Sequence, residues 1–139
     1  MKSAFIAFFA FTTMASHGAI SGILEISTVQ IRATAPGIDV TGGYVAITNH
    51  GNTDDTLVAT SASFAKRVEL HEMTQENGVM KMRWRGDGIG IPAGETVLLK
   101  PGGLHIMFMG LTETLQPGAM REINLEFASG HKMTVPAMV

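Results

Sequence analysis

Leu104-His105-Ile106-Met107-Phe108-Met109 alternates strictly between a branched or aromatic apolar residue and a histidine or methionine. Side chains on a β-strand point alternately to its two faces, so period two predicts a strand here. Leu104, Ile106 and Phe108 then form a core-facing side, and His105, Met107 and Met109 share the other. Runs of the same kind recur through the chain. Leu24–Arg32, Gly43–Asn49, Thr56–Ser61, Arg67–Met73, Val79–Trp84, Thr96–Lys100, Glu122–Phe127 and Lys132–Val135 read as further strands. Turn-forming residues separate them, notably Ala35-Pro36-Gly37, Glu76-Asn77-Gly78, the Gly86–Gly94 stretch, Pro101-Gly102-Gly103 and Gln116-Pro117-Gly118. Short alternating strands at such spacing predict an all-β sandwich or barrel of eight to nine strands.

The 139 residues suit one domain. A net charge of −2 argues against nucleic acid, which selects a strongly basic surface. Residues 1–18 read as a secretory signal peptide: Met1-Lys2, an apolar run from Ala4 to Phe11, then small residues around Ala15 to Ala19. Cleavage is expected near residues 15–19, leaving a single β domain over 19–139, and the apolar run is too short to span a bilayer. Cleavage after Ser16 would expose His17 as an N-terminal Cu(II) chelator of the kind found in oxidative copper enzymes. Met14 at the −3 position argues against that site.

The chain contains no cysteine, so disulfides and thiolate chemistry are both unavailable. What it has instead is methionine beside histidine. Five of the eight methionines beyond the signal lie at 73, 80, 82, 107 and 109, on the same two elements as His71 and His105. Thioethers are soft, uncharged donors that select Cu(I), and imidazole completes a set that copper accepts. Zinc sites use thiolates and imidazoles rather than thioethers, and a blue-copper centre requires a Cys thiolate.

A hairpin around Gln75–Gly78 with Thr74 opposite Val79 would set His71 across from Met82 and Met73 across from Met80, about 5 Å apart at Cβ. This makes two same-face pairs, His71 with Met82 and His105 with Met107. Met73, Met80 and Met109 are expected to be neighbours that shield the metal. His50 reads as a solvated turn residue. His131, Met133 and Met138 are the remaining residues from which a second copper contact could be built. No nucleophile elbow, phosphate loop or His-Glu-x-x-His helix is present, which predicts a protein that is not an enzyme.

The chain resembles the periplasmic copper chaperone family PCu(A)C. The resemblance runs from about Ile26 to Val135 and includes Arg32-Ala33-Thr34-Ala35-Pro36-Gly37, Gly43-Tyr44-Val45-Ala46-Ile47-Thr48-Asn49, Val68-Glu69-Leu70-His71-Glu72-Met73 and Leu99-Lys100-Pro101-Gly102-Gly103-Leu104-His105-Ile106-Met107. It implies a cupredoxin-like Greek-key fold with His71, Met82, His105 and Met107 as Cu(I) ligands. It also implies delivery of copper in the periplasm for assembly of the CuA site of cytochrome c oxidase. The oxidase subunit and Sco-type copper proteins would be the partners, with no nucleic acid and no membrane insertion after signal removal. A periplasmic copper store or resistance factor is the alternative. The Met82–His105 gap is one residue longer than the family's, attributable to the Gly86–Gly94 loop.

Overall fold

In a computed structural model, described for residues 19–21 and 23–139, the Leu104 alternation forms a central strand with one buried face. The described residues form twelve strands: β1 (Ala19–Ser21), β2 (Leu24–Ile26), β3 (Val29–Ile31), β4 (Val40–Asn49), β5 (Asp55–Ser61), β6 (Ala65–Glu76), β7 (Val79–Trp84), β8 (Ile89–Ile91), β9 (Thr96–Leu99), β10 (Leu104–Leu111), β11 (Met120–Phe127) and β12 (Lys132–Met138). No helix occurs among the described residues. The expected signal peptide, its cleavage point and His17 lie outside them.

The main path of hydrogen-bonded neighbours runs β7-β6-β10-β4-β3-β12-β11-β5-β8, and β2 and β9 also pair with β4. All pairings are antiparallel except β12 with β3. The sheet stays open, ending at β7 and β8, so the all-β expectation holds without a closed barrel. Ile26, Ile47, Leu57, Ile106, Phe108, Ile123, Phe127 and Val135 fill the core.

Twelve strands replace the expected eight to nine for local reasons. Leu24–Arg32 is interrupted because β2 and β3 pair with β4 one residue out of step: Ile26 faces Ile47, while Gln30 faces Tyr44. Ser27 and Thr28 absorb the extra residue, and the Ser27 hydroxyl accepts the Ala46 N–H at 2.9 Å. Ile89-Gly90-Ile91, inside a stretch that reads as a turn, pairs with β5 and buries both isoleucines. Three residues are too few to show a period. β1 falls in a stretch assigned no strand.

Two polar residues pin the loops around this core. Asn49, fully buried, donates from Nδ2 to the carbonyls of Thr53 at 2.9 Å and Ile91 at 3.0 Å, and its Oδ1 accepts the Gly51 N–H at 2.9 Å. Asp55 accepts from the N–H groups of Thr56 at 2.8 Å and Ser129 at 3.1 Å, and from the Ser129 hydroxyl at 2.6 Å. Burial raises the Asp55 pKa, but these hydrogen bonds together with the nearby His131 outweigh it, and the net shift is downward.

A carboxyl held below its unfolded value of about 3.9 contributes stability above that pH, and the contribution disappears as pH falls through the folded value. Asp55→Asn is therefore expected to cost about 1–3 kcal/mol at neutral pH. Its urea midpoint should then vary less than the parent's as the solution is acidified below about pH 4.

The β6–β7 hairpin corrects one expectation directly. Glu76 pairs with Val79 across a two-residue turn, with Asn77 at φ 51° and Gly78 at φ 77°. Positive φ at both central residues makes this the tight turn that suits the twist of paired strands. Met73 therefore faces Met82, His71 faces Trp84 and Met80 faces Gln75, in place of the expected His71–Met82 and Met73–Met80 pairs. Because the displacement is two residues, every side chain stays on its expected face. Gly78 has open space around it, so Gly78→Ala adds backbone strain alone. An expected loss of about 1–2 kcal/mol is measurable by chemical denaturation.

Candidate metal centre

The outward face of β10, β6 and β7 gathers the candidate residues. β6 and β10 lie side by side, with His71 directly opposite His105 and Glu69 opposite Met107. The two imidazole rings stand 5.8 Å apart between centroids, tilted by 45°. Thus the histidines, expected to belong to separate pairs, face each other across adjacent strands.

Each ring has one nitrogen fixed by the protein. His105 Nδ1 lies 3.0 Å from the Gly103 carbonyl oxygen, which can only accept, so Nδ1 carries the proton and Nε2 keeps its lone pair. The same carbonyl accepts the Met73 N–H at 3.0 Å. His71 Nε2 donates to Glu69 Oε2 at 2.8 Å, and the other Glu69 oxygen takes Arg67 Nε at 3.0 Å. In the neutral ring this leaves His71 Nδ1 as a bare acceptor, buried and without a hydrogen-bond partner. A buried acceptor with no donor is costly unless something binds it.

The thioethers are placed unequally. Met73, Met82 and Met107 border one open cleft of about 550 Å³ together with His105, whereas His71 lies outside its lining. Met82 is half exposed on the edge strand β7. His105, although on the non-core face, is only 5% exposed. Of the expected shielding residues, Met73 faces Met82 and lines the cleft. Met80 lies near the hairpin tip, facing Gln75. Met109 sulfur is 3.5 Å from an Arg67 guanidinium nitrogen and so already accepts a hydrogen bond.

The remaining histidines do not join this centre. His50 Nε2 bonds to Glu25 at 2.6 Å on the surface, so it is paired rather than merely solvated. Met133 is buried in the core, which removes it from any second copper contact with His131 and Met138. Among the described residues no group of three or more His, Cys, Asp or Glu side chains is placed to hold a metal. On this face the further soft donors beside the two histidines are the thioethers of Met73, Met82 and Met107.

The class these observations define is an all-β domain whose outward face sets two imidazoles opposite each other beside thioethers, a donor set chemically suited to a soft metal ion. The chain belongs to the family described as "Putative lipoprotein LpqE-like", whose model matches residues 24–139. Its sequence is 33% identical over 116 residues to the putative lipoprotein Lxx21020 of Leifsonia xyli subsp. xyli, covering 84% of this chain and 69% of that protein.

Among solved structures, the fold matches PCuAC domains. The copper-bound PCuAC domain from PmoF2 superposes with a TM-score of 0.74 at 22% identity, over 88% of this chain and 97% of that one. The apo domain from PmoF1 gives 0.74 at 23% identity, over 88% and 98%. The Cu(I) form of DR1885 from Deinococcus radiodurans gives 0.64 at 30% identity, over 81% and 74%. The expected relationship to the PCu(A)C family and its cupredoxin-like fold is thereby established.

Proposed function

We propose that this chain is a non-catalytic carrier that binds one Cu(I) through His71, Met82, His105 and Met107 and passes it on outside the cytoplasm. The observation that carries this reading is the pair of facing imidazoles. Each commits one nitrogen to a protein acceptor and leaves the other for a metal, on the sheet face that also bears Met82 and Met107. Hydrogen bonds that fix a ligand ring's tautomer and orientation are a regular property of metal-binding histidines.

Donor chemistry fits the ion. Two neutral imidazoles and two thioethers leave the +1 charge of Cu(I) intact, and soft sulfur favours Cu(I) over Cu(II) or zinc. Met82, half exposed on an edge strand, is a ligand that an incoming acceptor can reach and displace first. The copper-bound PmoF2 domain and the Cu(I) form of DR1885 support copper as the cargo. The lipoprotein descriptions of the family and of its Leifsonia relative support an exported protein. The periplasm is the proposed compartment, and the CuA site of cytochrome c oxidase, alongside Sco-type proteins, the proposed destination.

Titration with Cu(I) followed by X-ray absorption tests the centre, with saturation at one equivalent and mixed nitrogen and sulfur coordination expected. Coordination by nitrogen and oxygen alone, or no binding, overturns the reading. For the destination, deletion of the protein should lower oxidase activity under copper limitation. Normal activity with greater copper sensitivity indicates storage instead.

A further inference from the structure

We infer that the cleft beside the copper ligands also accepts a carboxylate, with Arg32 and the Tyr44 hydroxyl as its donors. What this group does rests on the copper reading above, but its presence is independent of it.

The sheet itself makes the juxtaposition. Gly42 on β4 pairs with Met107 on β10, and on its other side the Gly42 carbonyl accepts the Arg32 N–H at 3.1 Å. Arg32, just past the end of β3, thus forms one row with Gly42 on β4 and Met107 on β10. Neighbouring strands lie about 4.8 Å apart, so the outer two residues of the row are about 10 Å apart at the backbone. An arginine side chain and a carboxylate together span that distance. A side chain on the middle residue would obstruct it, and Gly42 has none. The vacant space is occupied by the Tyr44 phenol, whose oxygen lies 3.1 Å from where a Gly42 Cβ would be. Arg32, Gly42, Tyr44, His105 and Met107 all line the same cleft.

Charge decides what this end of the cleft takes. Arg67, Arg83, Arg85 and Arg121 each pair with a carboxylate. Arg32 alone among the arginines has no ion-pair partner among the described residues, and the Tyr44 hydroxyl has no hydrogen-bond partner among them. No aspartate or glutamate lines the cleft, so Arg32 is its one fixed charge and Cu(I) would add a second positive charge. A planar guanidinium fork matches a carboxylate with two parallel hydrogen bonds. One cation and one neutral donor, flanked by Ala35, Ile38 and Val40, suit a singly charged anion better than a phosphate dianion.

Carboxylate oxygen is a hard donor and a poor match for Cu(I), so it would anchor the incoming molecule without replacing a thioether. Two sources share this chemistry: a small acid that accompanies copper, or an acidic side chain of the acceptor protein. An acceptor's acidic side chain bound there would hold the acceptor's own copper ligands against the donor site, whereas a free acid would only balance the charge of the loaded cleft.

The test uses copper-free protein, followed by NMR during titration with propionate, with inorganic phosphate, and with a short peptide carrying one glutamate between methionines. Shifts at Arg32, Gly42 and Tyr44 are expected with propionate and peptide. Arg32→Gln, and separately glutamine in place of the peptide's glutamate, should each weaken binding about tenfold, the loss of one charge-assisted hydrogen bond. Combining the two changes should cost little more than either alone. Lys132→Gln, on β12, removes the same charge elsewhere and should have no effect.

Tighter binding of the peptide than of propionate assigns the carboxylate to a protein acceptor, and equal binding assigns it to a free acid. Binding that survives Arg32→Gln, falls equally in Lys132→Gln, or favours phosphate overturns the inference. Cu(I) affinity measured in parallel should be the same in Arg32→Gln and the parent protein. Failure of copper binding would leave the anion titration readable on its own.

Discussion

Replacing His105 with alanine is expected to lower Cu(I) affinity by about 100-fold or more, since losing a hydrogen-bond partner behind a metal ligand alone costs about 10–100-fold. The variant loses Nε2, the nitrogen that the Gly103 hydrogen bond keeps free of a proton. It should still fold, because the Gly103 carbonyl keeps its bond to the Met73 N–H and the β6–β10 pairing is made by backbone atoms. Met107→Ala should weaken binding in the same direction, through loss of one soft donor. Met109→Ala is the matched control: its sulfur is engaged by Arg67, and its removal should leave affinity nearly unchanged. Competition against a chromophoric Cu(I) chelator measures all three. Unchanged affinity in both His105→Ala and Met107→Ala would remove the assignment.

The parts of this centre differ in how far the sequence exposes them. Alternation in Leu104–Met109 assigned the correct face to His105 and Met107, because period two is a local property of a strand. Hairpin parity likewise kept His71 and Met82 on one face even though the register differed by two residues. The register itself depends on turn length, and Asn77-Gly78 is a strong local signal for a two-residue turn. That signal pointed to Met73, not His71, as the partner of Met82.

The facing of His71 and His105 has no local signature. β6 and β10 are separated by three intervening strands, and their adjacency is fixed only when the whole sheet assembles. The same holds for the row of Arg32, Gly42 and Met107: Arg32 and Gly42 are close in sequence, but Met107 joins them only through the distant pairing of β10 with β4. Met109 shows the converse limit. It shares spacing and face with Met107, yet faces Arg67, which occupies its sulfur.

The two faces of β10 can be separated experimentally, and Phe108→Ala is the substitution that does so. Phe108 is fully buried, packs against Phe64 at 5.3 Å between ring centroids, and lies so close to β4 that a Cβ on Gly43 would come within 2.6 Å of it. Truncating a phenylalanine in such a setting costs about 3–5 kcal/mol, a large share of the roughly 5–15 kcal/mol that holds a domain folded. Urea unfolding should show that loss as a lower midpoint. The vacated volume lies on the core side of β10, while His105 and Met107 project from the other. At temperatures where the variant remains folded, its Cu(I) affinity should therefore stay within a few-fold of the parent's, and saturating copper should raise the melting temperature of both proteins. His105→Ala should show the opposite pattern, with a large loss of affinity and a smaller loss of apo stability. If Phe108→Ala loses affinity as severely as His105→Ala, the copper ligands do not occupy a face independent of the core, and the alternation that assigns them fails with it.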